Sequence, residues 1–235
     1  MQKGDFVRID YVGRVKDTRE VFDLTIEDVA KKEKVFDPNM KYKAVPVIIG
    51  ESFVIRGLDD ELLKMGVGEK KNISLEPKEA FGERDPKMIK IIPKSAFRQQ
   101  KFEPAPGMFI NMSGFRGRIQ SCDSGRVRVD FNNPLAGKAL EYEVEIKEKI
   151  TEPVSQIKAI FEFLGLSDIS VKLSSETAEV EVSKALPPQM KEQISGLITK
   201  YVSNGSQKIE KVKFSEVYEK PAEKPEAEKA EEAVL

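Results

Sequence analysis

The chain predicts an α+β protein, and three observations carry that class. Apolar and polar residues alternate with a period of two through Phe6-Val7-Arg8-Ile9-Asp10-Tyr11-Val12-Gly13-Arg14-Val15, the mark of a half-buried strand. The same strict alternation returns in Ala139-Leu140-Glu141-Tyr142-Glu143-Val144-Glu145-Ile146. Between them Leu58, Leu62, Leu63 and Met65 follow Gly57 at helical spacing, and Gly66 stops the run. A central helix flanked by antiparallel strand patterns is an α+β arrangement.

The elements follow in order. After the first strand, Val45-Pro46-Val47-Ile48-Ile49-Gly50 reads as a second, and residues 70–76 resume the strand period after the helix. From about residue 83 to 131 the chain carries its own strand signals: Met88-Ile89-Lys90-Ile91-Ile92-Pro93, Met108-Phe109-Ile110-Asn111-Met112, and a hairpin pattern over 116–131 turning at Ser124-Gly125. This stretch reads as an inserted mini-domain, too small to bury much and expected to be mobile on its host. Beyond residue 151 the pattern becomes a compact α-β-β-α-β unit: a helix around 154–164, strands around 169–173 and 178–183, a helix over 188–202 and a strand over 208–217. The tail is almost wholly Glu, Lys, Ala and Pro, so it reads as disordered from 221 to 235, with solubilisation as its role. The expected divisions are therefore 1–83 with 132–151, 84–131, 152–220 and the tail.

Composition narrows the chemistry. The 39 basic and 40 acidic residues nearly cancel, which removes the global field that steers a protein onto nucleic acid or an anionic membrane. No apolar run approaches the roughly 20 residues that span a bilayer, and Met1-Gln2-Lys3-Gly4-Asp5 leads straight into a strand, so a cytoplasmic location is expected. The single cysteine, Cys122, has no internal disulfide partner and reads as a small half-buried residue. The absence of histidine removes the usual general base, the usual zinc ligand and every Ser-His or Cys-His pairing. Catalysis by this chain should need little proton transfer, and no metal or other cofactor is expected.

The most specific stretch is Val54-Ile55-Arg56-Gly57-Leu58-Asp59-Asp60-Glu61-Leu62-Leu63-Lys64-Met65-Gly66-Val67-Gly68-Glu69, closed by Glu79-Ala80-Phe81-Gly82. Singly, Val54, Ile55 and Leu58 read as plain core, and Tyr11 or Phe22 as strand packing. Their joint order, with Tyr11-Val12-Gly13, Val21-Phe22-Asp23 and Tyr142, closely resembles the FKBP family of peptidyl-prolyl isomerases. That resemblance covers about residues 1–149, interrupted once, and implies an antiparallel half-barrel sheet wrapped on a central helix. It also implies a proline-binding pocket of Tyr11, Phe22, Asp23, Val54, Ile55, Leu58, Phe81 and Tyr142. Leu58 stands where single-domain members have a Trp floor and Phe81 lacks a hydroxyl, so a softer, less polar pocket is expected. Asp23 either meets the rotating carbonyl region or anchors the wall through Tyr11.

Asn132-Asn133-Pro134-Leu135-Ala136-Gly137 is similar to the Asn-x-x-Leu-Ala-Gly element of SlyD-type members, which carry a domain in the flap over the pocket. The resemblance implies that residues 84–131 bind unfolded, proline-containing polypeptide. The candidates are Ile91, Ile92, Phe97, Met108, Phe109, Ile110, Met112 and Phe115, some of which must form the small core of the insert. The histidine- and cysteine-rich metal tail of several bacterial SlyD proteins is absent. The implied function is a peptidyl-prolyl isomerase with chaperone activity; the alternative is a non-catalytic peptide-binding chaperone or adaptor. For the C-terminal unit, homodimerisation or added client contact is expected, because Ile157, Ile160, Phe161, Phe163 and Leu164 crowd one short helix.

Overall fold

A computed structural model describes residues 1–99, 101–112 and 114–217. The tail expected to be disordered from 221 lies outside the described residues. The chain divides into two compact units, the first Met1–Lys149 and the second beginning at Ile150. Among the described residues no helix is long and apolar enough to cross a membrane.

In the first unit, β1 (Phe6–Val15) buries Phe6, Val7, Ile9, Val12 and Val15. Antiparallel β2 (Val21–Leu24) pairs with the second half of β1, setting Asp23 opposite Gly13, and a bulge follows at Arg14. The short α1 (Glu27–Lys32) was not legible in the sequence, because it buries only Ala30 and so has no apolar stripe. The strand β3 (Val45–Ile48) pairs with the first half of β1, Phe6 against Ile48. The central helix α2 (Arg56–Leu62) buries Gly57, Leu58 and Leu62, and its Asp59 accepts a 2.8 Å hydrogen bond from the Gly50 N–H. Asp59 thus ties the helix to the end of β3 as well as lying in its first turn. Next comes β4 (Lys70–Leu75).

The chain then forms a separate sheet from β5 (Ile89–Pro93), the short helix α3 (Lys94–Gln99), β6 (Phe109–Met112), β7 (Phe115–Asp123) and β8 (Arg126–Asp130). The strands run β5-β8-β7-β6, all antiparallel. Phe97, Ile119, Val127 and Val129 are its buried core, with Ile92, Phe102, Ile110, Cys122 and Phe131 packed around them. Four buried side chains at about 1.5–3 kcal/mol each make a small core. The last strand, β9 (Leu140–Ile150), returns to the first sheet, whose order is β2-β1-β9-β4 with β3 on β1.

The two crossings between these sheets are sewn together. The Asp85 N–H donates to Asn132 Oδ1 at 2.9 Å, and Asn132 Nδ2 donates back to the Asp85 carbonyl at 3.0 Å. The Gly137 N–H donates to the Gly82 carbonyl at 2.8 Å, and Arg84 pairs with Asp130. Burial works against the charged form of Asp130, but the hydrogen bonds from Asn132 and the Arg84 guanidinium outweigh it and hold the carboxyl below its usual range.

The second unit contains α4 (Pro153–Phe163), β10 (Ile169–Ser174), β11 (Thr177–Val182), α5 (Pro188–Tyr201), β12 (Ser203–Asn204), β13 (Gln207–Lys208) and β14 (Lys211–Glu216). Pro153 opens α4 and Glu152 caps it, accepting from the Val154 N–H at 3.0 Å. In place of one strand over 208–217, the chain turns at Gly205 into a two-residue hairpin before β14 begins. That last strand lies parallel to β11, in the order β10-β11-β14. Of the apolar residues crowded on α4, Ile157, Ile160 and Phe161 are fully buried, which leaves Phe163 and Leu164 exposed.

Candidate active site

Strand parity builds the first wall. Val7, Ile9 and Val15 of β1 enter the main core, and Tyr11, on the same face, packs half-buried against it. Gly13 shares that face by parity, and nothing larger fits there: a Cβ would meet Phe22 Cζ at 2.7 Å and Tyr142 Cε1 at 3.1 Å. The missing side chain lets two rings close over β1. Phe22 and Tyr142 meet edge to face with centroids 5.7 Å apart, and Tyr11 tilts against Tyr142 at 6.0 Å. Tyr142 stands on the buried face of β9, opposite Ile73 of β4.

Asp23 completes this group. Lying opposite Gly13 in the ladder, it sits diagonally from Tyr11, and its Oδ2 accepts the Tyr11 hydroxyl at 2.7 Å. Burial, then the hydrogen bond to Asp23, pushes the Tyr11 phenol well above its usual range. Burial, then the charge of Asp23, does the same to Tyr142. Both hydroxyls therefore stay protonated at any physiological pH.

The opposite part of the site comes from the entry to α2. Val54 and Ile55 are half-buried against the same core, Ile55 in extended conformation just before the helix. Leu58 lies deeper, only 2% exposed, and Phe81 packs half-buried on the cluster from the loop after β4. Seven of the eight sequence-predicted residues thus belong to or pack on one cluster, and the eighth, Asp23, is bonded to it through Tyr11. Gly57 permits the close fit of α2, since a Cβ there would lie 2.6 Å from Leu75 Cδ2 and 2.9 Å from the Glu79 carbonyl oxygen. The prediction omitted Phe53 and Leu135, which also pack on this cluster. Each had a signal: Phe53 directly precedes Val54-Ile55, and Leu135 lies inside Asn133-Pro134-Leu135-Ala136-Gly137.

The client-binding candidates divide. Phe97 is 4% exposed and belongs to the core of the second sheet, so its ring is unavailable at the surface; Ile92 and Ile110 are half-buried around that core. Met112 is half-buried, whereas Ile91, Met108, Phe109 and Phe115 are exposed. Phe97 lies in α3, whose apolar face turns onto the sheet, and a run of strand signals could not reveal that helix. Among the described residues no group of three His, Cys, Asp or Glu side chains converges as a metal site would require.

Known proteins and one family model are similar to this chain. Residues 90–135 match the family model described as "FKBP26, IF domain". The chain is 36% identical over 148 residues to the short-type peptidyl-prolyl cis-trans isomerase of Methanocaldococcus jannaschii, covering 63% of this chain and 93% of that one. It is 34% identical over 105 residues to the FKBP-type 16 kDa peptidyl-prolyl cis-trans isomerase of Escherichia coli K12, covering 43% of this chain and 70% of the relative. It is also similar to the FKBP-type isomerase SlyD of Helicobacter pylori, 29% identical over 115 residues, 48% of this chain and 62% of that protein. With more than a third of its residues shared across nearly the whole archaeal relative, the chain belongs to the FKBP-type family of peptidyl-prolyl cis-trans isomerases.

Proposed function

We propose that X-Pro isomerisation takes place at the ring-walled cluster of Tyr11, Phe22 and Tyr142 above Val54, Ile55 and Leu58, and that the sheet over residues 89–130 presents unfolded polypeptide to it. The observation that carries this reading is the Tyr11–Asp23 hydrogen bond inside an otherwise apolar wall. Rotation about the amide crosses a barrier of about 18–20 kcal/mol that comes from C–N resonance. In the twisted transition state the carbonyl oxygen loses negative charge, so a site that strips water from the amide favours the twisted form. No bond is made or broken and no general base is needed.

The bond geometry supports a positioning role for Asp23. Its carboxylate holds Tyr11, which in turn packs on Tyr142. Residues 84–131 serve as the client-gripping domain, holding proline segments near the pocket at high effective concentration. The exposed Ile91, Met108, Phe109 and Phe115 suit promiscuous apolar contact. Dimerisation or client contact through the second unit draws on the exposed Phe163 and Leu164.

Catalysis of a proline-limited refolding reaction tests the reading. The expected outcome is that the chain accelerates both refolding and exchange in a short Xaa-Pro peptide. Replacing residues 84–131 by a short link that joins residue 83 to residue 132, beside the Gly137–Gly82 hydrogen bond, lowers only the first rate. A chain that binds unfolded protein yet leaves the short peptide uncatalysed is a peptide-binding chaperone or adaptor, and the proposal fails.

A further inference from the structure

The charge of this chain is unevenly placed. Residues 84–131 hold ten Lys and Arg against four Asp and Glu, although the whole chain is nearly neutral. Four of the ten, all arginines, share one face of the second sheet. Val127, Val129, Ile119, Gly117 and Ile110 face its core. By alternation and pairing, the other face carries Arg116 and Arg118 on β7 and Arg126 and Arg128 on β8. Ile91 pairs with Arg128 on that face, and Phe109 pairs with Arg118. All six side chains are exposed.

The acidic groups of this face leave most of that charge uncompensated. Asp130 is buried and already engaged by Arg84, Gln120 and Asn132. Asp123 lies at the hairpin end opposite Arg126. Among the described residues none of the four arginines is within ion-pairing distance of a carboxylate.

We infer that this arginine face selects clients, gripping unfolded polypeptide segments that carry acidic residues beside apolar ones. The inference rests on residues 84–131 being the client-gripping domain. Arginines two apart on a strand stand about 7 Å apart, and an extended polypeptide laid along the sheet presents every second side chain at that same repeat. Guanidinium groups bind carboxylates through paired hydrogen bonds, while Ile91 and Phe109 supply apolar contact in the same plane. Single-stranded nucleic acid fits less well, because it needs successive aromatic platforms. Among the described residues of these strands this face has one ring, Phe109, and the Arg116 guanidinium already covers one side of it at 4.3 Å.

Three unstructured 16-residue peptides test the inference on the full chain by fluorescence anisotropy. They share apolar and proline positions and differ only in carrying four Glu, four Gln or four Lys at alternate sites. The Glu peptide binds about tenfold more tightly than the Lys peptide, with Gln between, as two or three partly exposed ion pairs would give. Raising the salt to about 0.5 M narrows the gap. The double variant Arg116→Glu with Arg128→Glu removes or reverses the order while still binding the Gln peptide, which shows that it has folded. Equal binding of the Glu and Lys peptides overturns acidic selection and leaves the client-gripping role standing. Tighter binding of a 16-nucleotide oligouridine, lost in the double variant, replaces the polypeptide with nucleic acid. Binding of none of the three peptides overturns both the inference and the client-gripping role.

Discussion

The Tyr11 hydroxyl donates a 2.7 Å hydrogen bond to Asp23, joining β1 to β2 through the candidate pocket wall and fixing the ring that packs on Tyr142. This bond separates the two roles open to Asp23. If Asp23 acts by holding Tyr11, Tyr11→Phe and Asp23→Asn each lower kcat/KM several-fold, and the double variant is no worse than the poorer single one. If Asp23 meets the substrate independently, the losses multiply. The four proteins compared in a peptide exchange assay decide.

Gly13→Ala tests the packing of the wall. The new methyl meets two rigid rings, Phe22 at 2.7 Å and Tyr142 at 3.1 Å, so at least one must turn away. Overpacking of this kind costs about 1–3 kcal/mol, measurable as a lower midpoint in urea unfolding. Catalysis should fall further than stability alone explains, because the displaced rings are those proposed to hold proline.

Gly57→Ala sets two effects against each other. Alanine in a helix gains about 1 kcal/mol over glycine. At this position its Cβ meets Leu75 at 2.6 Å and the Glu79 backbone at 2.9 Å, and a backbone cannot step aside as a side-chain tip can. The clash wins, and the variant is less stable than the wild type. A rise in melting temperature would show that α2 has room to shift off β4.

Asp130 makes the neck between the two sheets sensitive to acid. Its folded pKa is depressed below the ordinary 3.8, so its contribution to stability is fully present above that value and is lost as pH falls through the lower folded value. Asp130→Asn is therefore less stable than wild type at pH 7, and the difference shrinks as the pH falls below the ordinary value of 3.8. Urea unfolding of both proteins across that range provides the check; a constant difference would mean that the carboxylate charge is not what Arg84 and Asn132 hold.

Much of the fold was legible because period-two and helical spacings are local signals. The patterns of Phe6 to Val15 and Leu140 to Ile146 became β1 and β9, and Leu58 and Leu62 lie in α2, which ends at Leu62 and leaves Met65 beyond it. The short α1 and α3 were not legible, since six residues are too few to leave a periodic trace, as the buried Ala30 and Phe97 illustrate. For the pocket, the order of apolar and aromatic residues pointed to Tyr11, Phe22, Tyr142 and the Val54-Ile55 step. Phe53 and Leu135 reach the same cluster from segments whose direction depends on distant partners.

The sequence by itself determined the α+β class and the resemblance to the isomerase family, and it named the residues proposed for the pocket, because each is written in residue types at short, fixed spacings. Only the tertiary structure decided that Tyr11 is bonded to Asp23, that Phe97 is core while Ile91 and Phe109 are surface, and that four arginines share one exposed face. A strand pattern says that its two faces differ, but which one is buried is set by the register of its neighbours and the helix packed upon it.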